Sequence, residues 1–203
     1  VPDPVIKVEP PKPYLQRLTD NLGPADTDYR EAPRCGTFPD APFLMVTGPM
    51  GCGKTHQMRE VLKGYKGKIV RMCTMRISQA HEAASKMPGF TLYHDIEGDI
   101  DETYPWVIVQ ADSMCRIAGA PKDIDLLVLD ELESFREQWS SNQMRDPNGC
   151  IQWINAAIKY AKRVIFMDAN MLDRTKELIK SIRGEEYTEL VIEPASQKET
   201  QYI

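Results

Sequence analysis

The stretch Phe43–Thr55, which reads FLMVTGPMGCGKT, constrains the fold more than any other part of the chain. Its first residues form an apolar run of strand length, and its second half has the pattern Gly-x4-Gly-Lys-Thr of a phosphate-binding loop. Glycines in such a loop let the backbone turn so that its N–H groups converge on phosphate oxygens, and the helix that follows directs its positive end to the same place. The stretch therefore predicts a strand, a phosphate-binding loop and a helix in direct succession.

This loop predicts a nucleotide as ligand, with ATP and Mg²⁺ as the cofactors. Lys54 is expected to reach the β- and γ-phosphates, and the hydroxyl of Thr55 is expected to ligate Mg²⁺. The residues predicted to bind the nucleotide are Gly48, Pro49, Met50, Gly51, Cys52, Gly53, Lys54 and Thr55.

Short apolar runs alternate with helical patterns along the rest of the chain. The runs are Phe43–Thr47, Lys68–Cys73, Phe90–Tyr93, Trp106–Gln110, Leu126–Asp130, Arg163–Asp168 and Glu189–Ile192. This alternation is typical of parallel strands that are joined by crossover helices. We therefore predict an α/β fold of the P-loop NTPase class, with a mostly parallel sheet of about seven strands and helices on both faces.

Composition bounds the organisation of the chain. With 203 residues and 42% apolar residues, the chain can bury one α/β core. Residues 1–42 hold nine of the fifteen prolines and are predicted to form an N-terminal arm. Residues 43–193 are predicted to form the nucleotide-binding lobe, and residues 194–203 a polar linker.

Charge and cysteine content exclude several classes of protein. No run approaches the length of a membrane span and no signal sequence opens the chain, so we expect a soluble intracellular protein without a membrane partner. A net charge of −5 means that any contact with nucleic acid must be local. Five cysteines without a Cys-x-x-Cys pair argue against a disulfide framework and against a zinc knuckle.

Carboxylates stand at the ends of two further predicted strands. If the strand that ends in Asp130 neighbours the loop strand, Asp130 can hold Mg²⁺ through water and Glu131 can polarise a water that attacks the γ-phosphate. Taken alone, the same pair fits a helix N-terminus. Asp168 ends another strand and is expected to lie near Asp130 and sense the γ-phosphate, although Asp168 or Asn170 also fits a helix N-cap. The predicted catalytic residues are Lys54, Asp130, Glu131 and Asp168.

Four other segments carry a resemblance to a known family. They are Cys73–Ser78, Ile108–Arg116, Leu129–Leu132 and Met167–Asn170. In the same order, they are similar to the family segments Cys-Arg-Arg-Ser-Phe-Thr, Ile-Val-Gln-x-x-Ser-Leu-x-Arg, Leu-Asp-Glu-Val and Met-Asp-Ala-Thr. With the phosphate loop, they make residues 43 to about 195 resemble the first motor lobe of the herpesvirus-type replication origin-binding protein, a superfamily 2 helicase. Asn170 departs from the threonine that is usual in this family at the motif that couples hydrolysis to movement.

The resemblance implies a RecA-like motor lobe of a DNA helicase in viral-type DNA replication, which couples ATP hydrolysis to single-strand translocation and duplex unwinding. It implies single-stranded DNA and a second lobe of the same chain as partners, weak or no activity for one lobe alone, and a location in the nucleus or at a cytoplasmic viral replication site. The phosphate contacts it implies for single-stranded DNA are Arg76, Ser78, Ser113 and Arg116. Without the resemblance, Ser78 fits an N-cap and Arg116 a surface arginine.

Two other functions fit parts of the pattern. A nucleoside kinase of the thymidine kinase type has a loop that also begins Gly-Pro-Met, but its zinc-binding Cys-x-x-Cys pairs are missing here. A nucleotide-sensing interaction module needs only the loop, and the intact Lys54, Asp130 and Glu131 weigh against it. Adenine recognition has no clear motif, and stacking on Tyr14 or Phe38 is the hypothesis.

Overall fold

A computed structural model describes residues 37–87, 89–139 and 146–192 of the chain. The chain divides into two units, residues 1–32 and residues 33–203, and all described residues belong to the second. Tyr14, most of the predicted arm and the linker 194–203 lie outside the described residues.

One parallel sheet forms the centre of the molecule, which confirms the predicted α/β fold. Its strands run across the sheet in the order β3-β4-β2-β5-β6-β1-β7, and every adjacent pair is parallel. The strands are β1 Phe43–Thr47, β2 Val70–Thr74, β3 Thr91–Leu92, β4 Trp106–Gln110, β5 Leu126–Asp130, β6 Arg163–Asp168 and β7 Thr188–Val191. Strands covered on both faces need continuous apolar runs, and this is why the runs in the sequence located them.

Helices connect the strands and cover both faces of the sheet. They are α1 Lys54–Lys63, α2 Ile77–Lys86, α3 Leu132–Trp139, α4 Pro147–Tyr160 and α5 Asp173–Arg183. Because parallel crossovers are right-handed, α1 and α2, which lead toward the β3 edge, lie on one face, and the later helices lie on the other. On this second face α4 packs against α5 and against a 3-10 turn at Ala111–Arg116.

The place of β6 corrects one expectation. Strand β6 pairs with both β1 and β5, so the strand that ends in Asp130 is not the neighbour of the loop strand. Thr47 is in register with Asp168, and Asp130 with Met167. Either strand order would bury the same apolar runs, and for this reason the pattern alone could not decide between them.

Residues before β1 contribute to the core. Phe38 is 5% exposed and packs with Ala41 in the main hydrophobic cluster. Arg163 donates to the carbonyl of Pro39 at 3.1 Å and pairs with Asp40. The hypothesis that Phe38 stacks on adenine is therefore wrong, because its ring is packed inside the protein. No helix in the described part of the chain is long and apolar enough to cross a membrane.

Candidate nucleotide-binding site

The loop between β1 and α1 needs glycine at several positions. Gly51 and Gly53 have φ angles of 77° and 94°, in the left-handed region that other residues adopt at a cost. A Cβ atom at Gly48 would lie 2.8 Å from the Cβ of Ile192 and 3.1 Å from the Sγ of Cys52. The loop conformation therefore explains the glycine pattern that was recognised in the sequence.

Lys54 begins α1 and turns back over the loop. Its Nζ donates to the carbonyl oxygens of Gly48 at 2.5 Å and Pro49 at 3.1 Å. This ammonium group thus lies inside the concave side of the loop, where oxygen atoms of a bound phosphate can take the place of the carbonyls. Gly53 is the N-cap of α1 and supplies no side chain to it, so the first N–H groups of the helix have no side-chain cap.

Asp130 ends β5 in a position that is unfavourable for its negative charge. Burial, as the largest cause, and the nearby charges of Glu131 and Asp168 together raise the pKa of Asp130 to about 6, against the opposing charge of Lys54. Carboxylates that are close together and shielded from water favour a bound cation. The local electrostatics therefore fit a cation site beside the phosphate loop.

Thr55 and Asp130 fit the requirements of Mg²⁺. The part of the chain that the structure describes has no cluster of three or more His, Cys, Asp or Glu residues that could hold a metal ion by themselves. Mg²⁺ keeps several waters and commonly takes only one or two carboxylates together with substrate phosphates. A site completed by nucleotide oxygens and water is therefore compatible with these residues.

Glu131 has a strained backbone. Its φ of 61° makes it the one residue other than glycine with a positive φ among those described. Its N–H donates to the carbonyl of Met167 at 2.9 Å, and its own carbonyl accepts from the N–H of Ser134 at 3.1 Å. Such strain persists where the surroundings hold it, as the β6 contact and the start of α3 do here.

Asp168 links two loops instead of capping the helix that follows it. Its carboxylate accepts from the N–H of Glu133 at 2.8 Å, at the start of α3, and from the N–H of Asn170 at 3.0 Å. Glu133 in turn accepts from the N–H of Leu172 at 2.9 Å, at the N-cap of α5. The N-cap interpretation of Asp168 and Asn170 is therefore wrong for α5. Asp168, at the end of β6, binds the N-terminus of α3, and Glu133 of α3 binds the N-cap residue of α5.

One cleft of about 200 Å³ brings most of the predicted site together. Predicted residues that line it are Met50, Gly51, Lys54, Thr55, Asp130, Glu131 and Asp168. Gln79 and Glu82 of α2 also line it, and sequence reasoning missed both. Their only signal in the sequence was a position in the helix that follows β2. In the structure, Gln79 Oε1 accepts a hydrogen bond from the N–H of Arg76 at 2.9 Å.

The predicted DNA contacts lie outside this cleft. Arg76 is the exposed N-cap of α2, so Ser78, also exposed, is not its N-cap as the local pattern had indicated. Ser113 lies half-buried in the turn Ala111–Arg116. Arg116 donates to the carbonyl oxygens of Ile96 at 2.5 Å, Gly98 at 2.8 Å and Tyr93 at 3.3 Å. This guanidinium group holds a loop together, and its contact with DNA stays a prediction.

Comparison with known proteins gives a family and a fold. A family profile described as origin of replication binding protein matches residues 33–197. A helicase/primase complex protein of African swine fever virus, strain Badajoz 1971 Vero-adapted, is 35% identical over 154 residues, which cover 71% of this chain and 14% of the relative. A replication origin-binding protein of Psittacid herpesvirus 1 is 28% identical over 77% of this chain and 19% of the relative.

A solved structure supports the assignment of the fold. The DEAD box protein from the hyperthermophile Methanococcus jannaschii superposes with a TM-score of 0.55 and 16% identity, over 75% of this chain and 46% of that chain. The predicted RecA-like α/β fold is therefore confirmed. The chain spans less than a fifth of the length of either viral relative.

Proposed function

Because this chain belongs to the origin of replication binding protein family, we propose that it contains the ATP-binding motor lobe of a superfamily 2 DNA helicase in viral-type DNA replication. The observation that carries the proposal is the convergence of Lys54, Asp130 and Glu131 on one cleft beside a phosphate-binding loop. The names of the two viral relatives support a role in replication. We place this lobe at residues 43–193.

In this proposal the loop binds the phosphates of ATP. Its backbone N–H groups would hold phosphate oxygens, and Lys54, which donates to the carbonyls of Gly48 and Pro49, would donate to the phosphates instead. Thr55 and Asp130 would hold Mg²⁺, which neutralises charge on the β- and γ-phosphates. Asp130 must be ionised to do so, and the charge of the cation favours that form.

Glu131 is the proposed residue that orients the attacking water. Its carboxylate lies at the cleft beside Asp130, and its strained backbone presents the side chain from the turn between β5 and α3. A residue with this placement can position water for an in-line attack on the γ-phosphate. Asp168, which lines the same cleft, is proposed to sense the γ-phosphate and to transmit its presence through its bond to α3.

Single-stranded DNA is the proposed second ligand. Arg76, Ser78 and Ser113 follow β2 and β4 at the same end of the sheet as the cleft. Serine hydroxyls and arginine side chains close to helix N-termini suit phosphate backbones. Arg116 is proposed to act on the DNA path by holding the turn that carries Ser113. A second lobe of the same chain would complete the path and couple hydrolysis to translocation and unwinding.

The proposed second lobe sets an expectation for the activity of this lobe alone. Arginines that stabilise the transition state of phosphoryl transfer can contribute roughly 10³ to 10⁵ in rate and are often supplied from outside the nucleotide lobe. The 203-residue chain should therefore bind ATP and hydrolyse it poorly.

Calorimetry with Mg-ATP tests the proposal. Lys54→Ala should weaken binding about 30- to 100-fold, because it removes charge-assisted hydrogen bonds to phosphate. Lys63→Ala is the matched control: it removes the same charge from the other end of α1, where Lys63 pairs with Glu60 on the surface. Equal binding by wild type and Lys54→Ala would refute the nucleotide site, and phosphorylation of thymidine by the wild type would instead support the kinase alternative.

A further inference from the structure

A second cavity, of about 340 Å³, lies at the opposite end of the sheet from the phosphate loop. It opens where the parallel strands begin, beside Ile69 ahead of β2 and Ile124 ahead of β5. Ile117 and Pro121 continue its apolar wall, and Trp153 of α4 forms one side. No residue of the proposed nucleotide site lines it, so an occupant would leave ATP binding unobstructed.

Arg71 lines this cavity and is an unusual residue for a central strand. It is 2% exposed. The guanidinium donates at 2.9–3.1 Å to four backbone carbonyls, those of Val70, Tyr104, Pro105 and Asp101. Its Nε–H has no acceptor among the residues that the structure describes. This nitrogen is shielded from solvent, so what Arg71 contributes to the lining is a guanidinium that four carbonyls hold in place.

The rim of the cavity has the opposite charge. Asp101, Glu102 and Asp123 line it and are exposed to solvent. The N–H and Oγ1 of Thr103 donate to Asp101 Oδ1 at 2.9 and 2.6 Å, and these hydrogen bonds lower the pKa of Asp101 below its ordinary value. The cavity thus has a negative rim and apolar walls, with the buried, hydrogen-bonded guanidinium of Arg71 in its lining.

We propose that this cavity is a docking site for a protein segment that carries an apolar side chain next to a lysine or arginine. The apolar side chain fills the space against Trp153, and the cation pairs with the carboxylates of the rim. Nucleic acid has the wrong charge for the rim, because its phosphates would face Asp101, Glu102 and Asp123.

The proposal is tested by fluorescence anisotropy with a rhodamine-labelled Lys-Leu-Lys-Leu-Lys peptide and the 203-residue chain. The double variant Glu102→Gln/Asp123→Asn should bind the peptide about three- to tenfold more weakly, as expected for the loss of two surface ion pairs. Glu97→Gln/Asp99→Asn makes the same change in net charge at two acidic residues outside the cavity lining, and should bind like wild type.

Ala120→Trp tests the cavity without changing charge, since Ala120 is exposed and lines the opening. This variant should lose peptide binding while its circular dichroism and its affinity for Mg-ATP stay as in wild type. Equal weakening by the two double variants would mean non-specific attraction, and unimpaired binding by Ala120→Trp would mean that the peptide lies elsewhere. Either result overturns the proposal. The proposal is also overturned if a labelled oligonucleotide binds to the wild type and this binding is lost in Ala120→Trp. A loss of ATP binding in Lys54→Ala bears only on the nucleotide site, so the two proposals fail separately.

Discussion

Substituting Asp130 by asparagine should stabilise the protein while it abolishes ATP hydrolysis. The pKa of Asp130 is about 6 in the folded protein, against an ordinary value of 3.8, mainly because burial disfavours its charge. The difference of about two pKa units, at 1.36 kcal/mol each, sets a ceiling of about 3 kcal/mol on the cost of ionising Asp130. Asparagine has the same shape without the charge, so the free energy of unfolding should rise by about 1–3 kcal/mol at pH 7.5.

The pH dependence of this gain follows from the direction of the shift. Between about pH 4 and pH 6 the folded protein holds a proton on Asp130 that the unfolded chain has released. The contribution of Asp130 to stability therefore falls as pH rises through this window, and the cost is fully present above it. The advantage of the variant should be largest at pH 7.5 and shrink toward pH 4, as urea unfolding at pH 7.5, 6.0 and 4.5 would measure.

Asp125, the residue directly before the same strand, supplies a control. Although burial raises its pKa, hydrogen bonds from Lys162 and from the N–H groups of Ile69 and Lys68 lower it overall. Asp125→Asn should therefore destabilise the protein, and more at pH 7.5 than at acid pH. If Asp130→Asn lowers the free energy of unfolding at pH 7.5, or raises it equally at all three pH values, the electrostatic account of the cation site is wrong.

Three further substitutions probe the loop and the DNA path. Gly53→Ala should lower the free energy of unfolding by about 1–2 kcal/mol, because its φ of 94° is strained for alanine, and thermal denaturation would measure the loss; an unchanged melting temperature would contradict the loop conformation. Arg76→Ala should leave stability unchanged and reduce the slope of log affinity against log salt for single-stranded DNA by about 0.7 per lost contact, measured by anisotropy. Arg116→Ala should instead destabilise the protein by about 1–3 kcal/mol, since three carbonyls lose their donor. Unchanged stability together with a reduced salt slope would show that Arg116 contacts the DNA directly.

Much of the fold could be predicted because the sheet is buried on both faces. Parallel strands of this kind need continuous apolar runs, and the runs placed all seven strands to within a few residues. The phosphate loop was equally accessible, because its conformation demands glycine at fixed positions such as Gly51 and Gly53. Helix α3 had only the pair Asp130 and Glu131 as a signal for its N-terminus, because its eight residues leave room for few repeats of an apolar stripe.

The amino-acid sequence by itself determined the elements, the phosphate loop and the strand ends that carry Asp130 and Asp168, because these depend on local pattern. Only the tertiary structure decided that β6 lies between β1 and β5, and that Asp168 binds the N-terminus of α3 and not that of α5. It also decided that Arg116 holds a loop and that Arg71 lies buried in a central strand. Charged and polar side chains bond to groups on elements that are far apart in the chain. Local periodicity therefore does not indicate which N–H or carbonyl group becomes the partner.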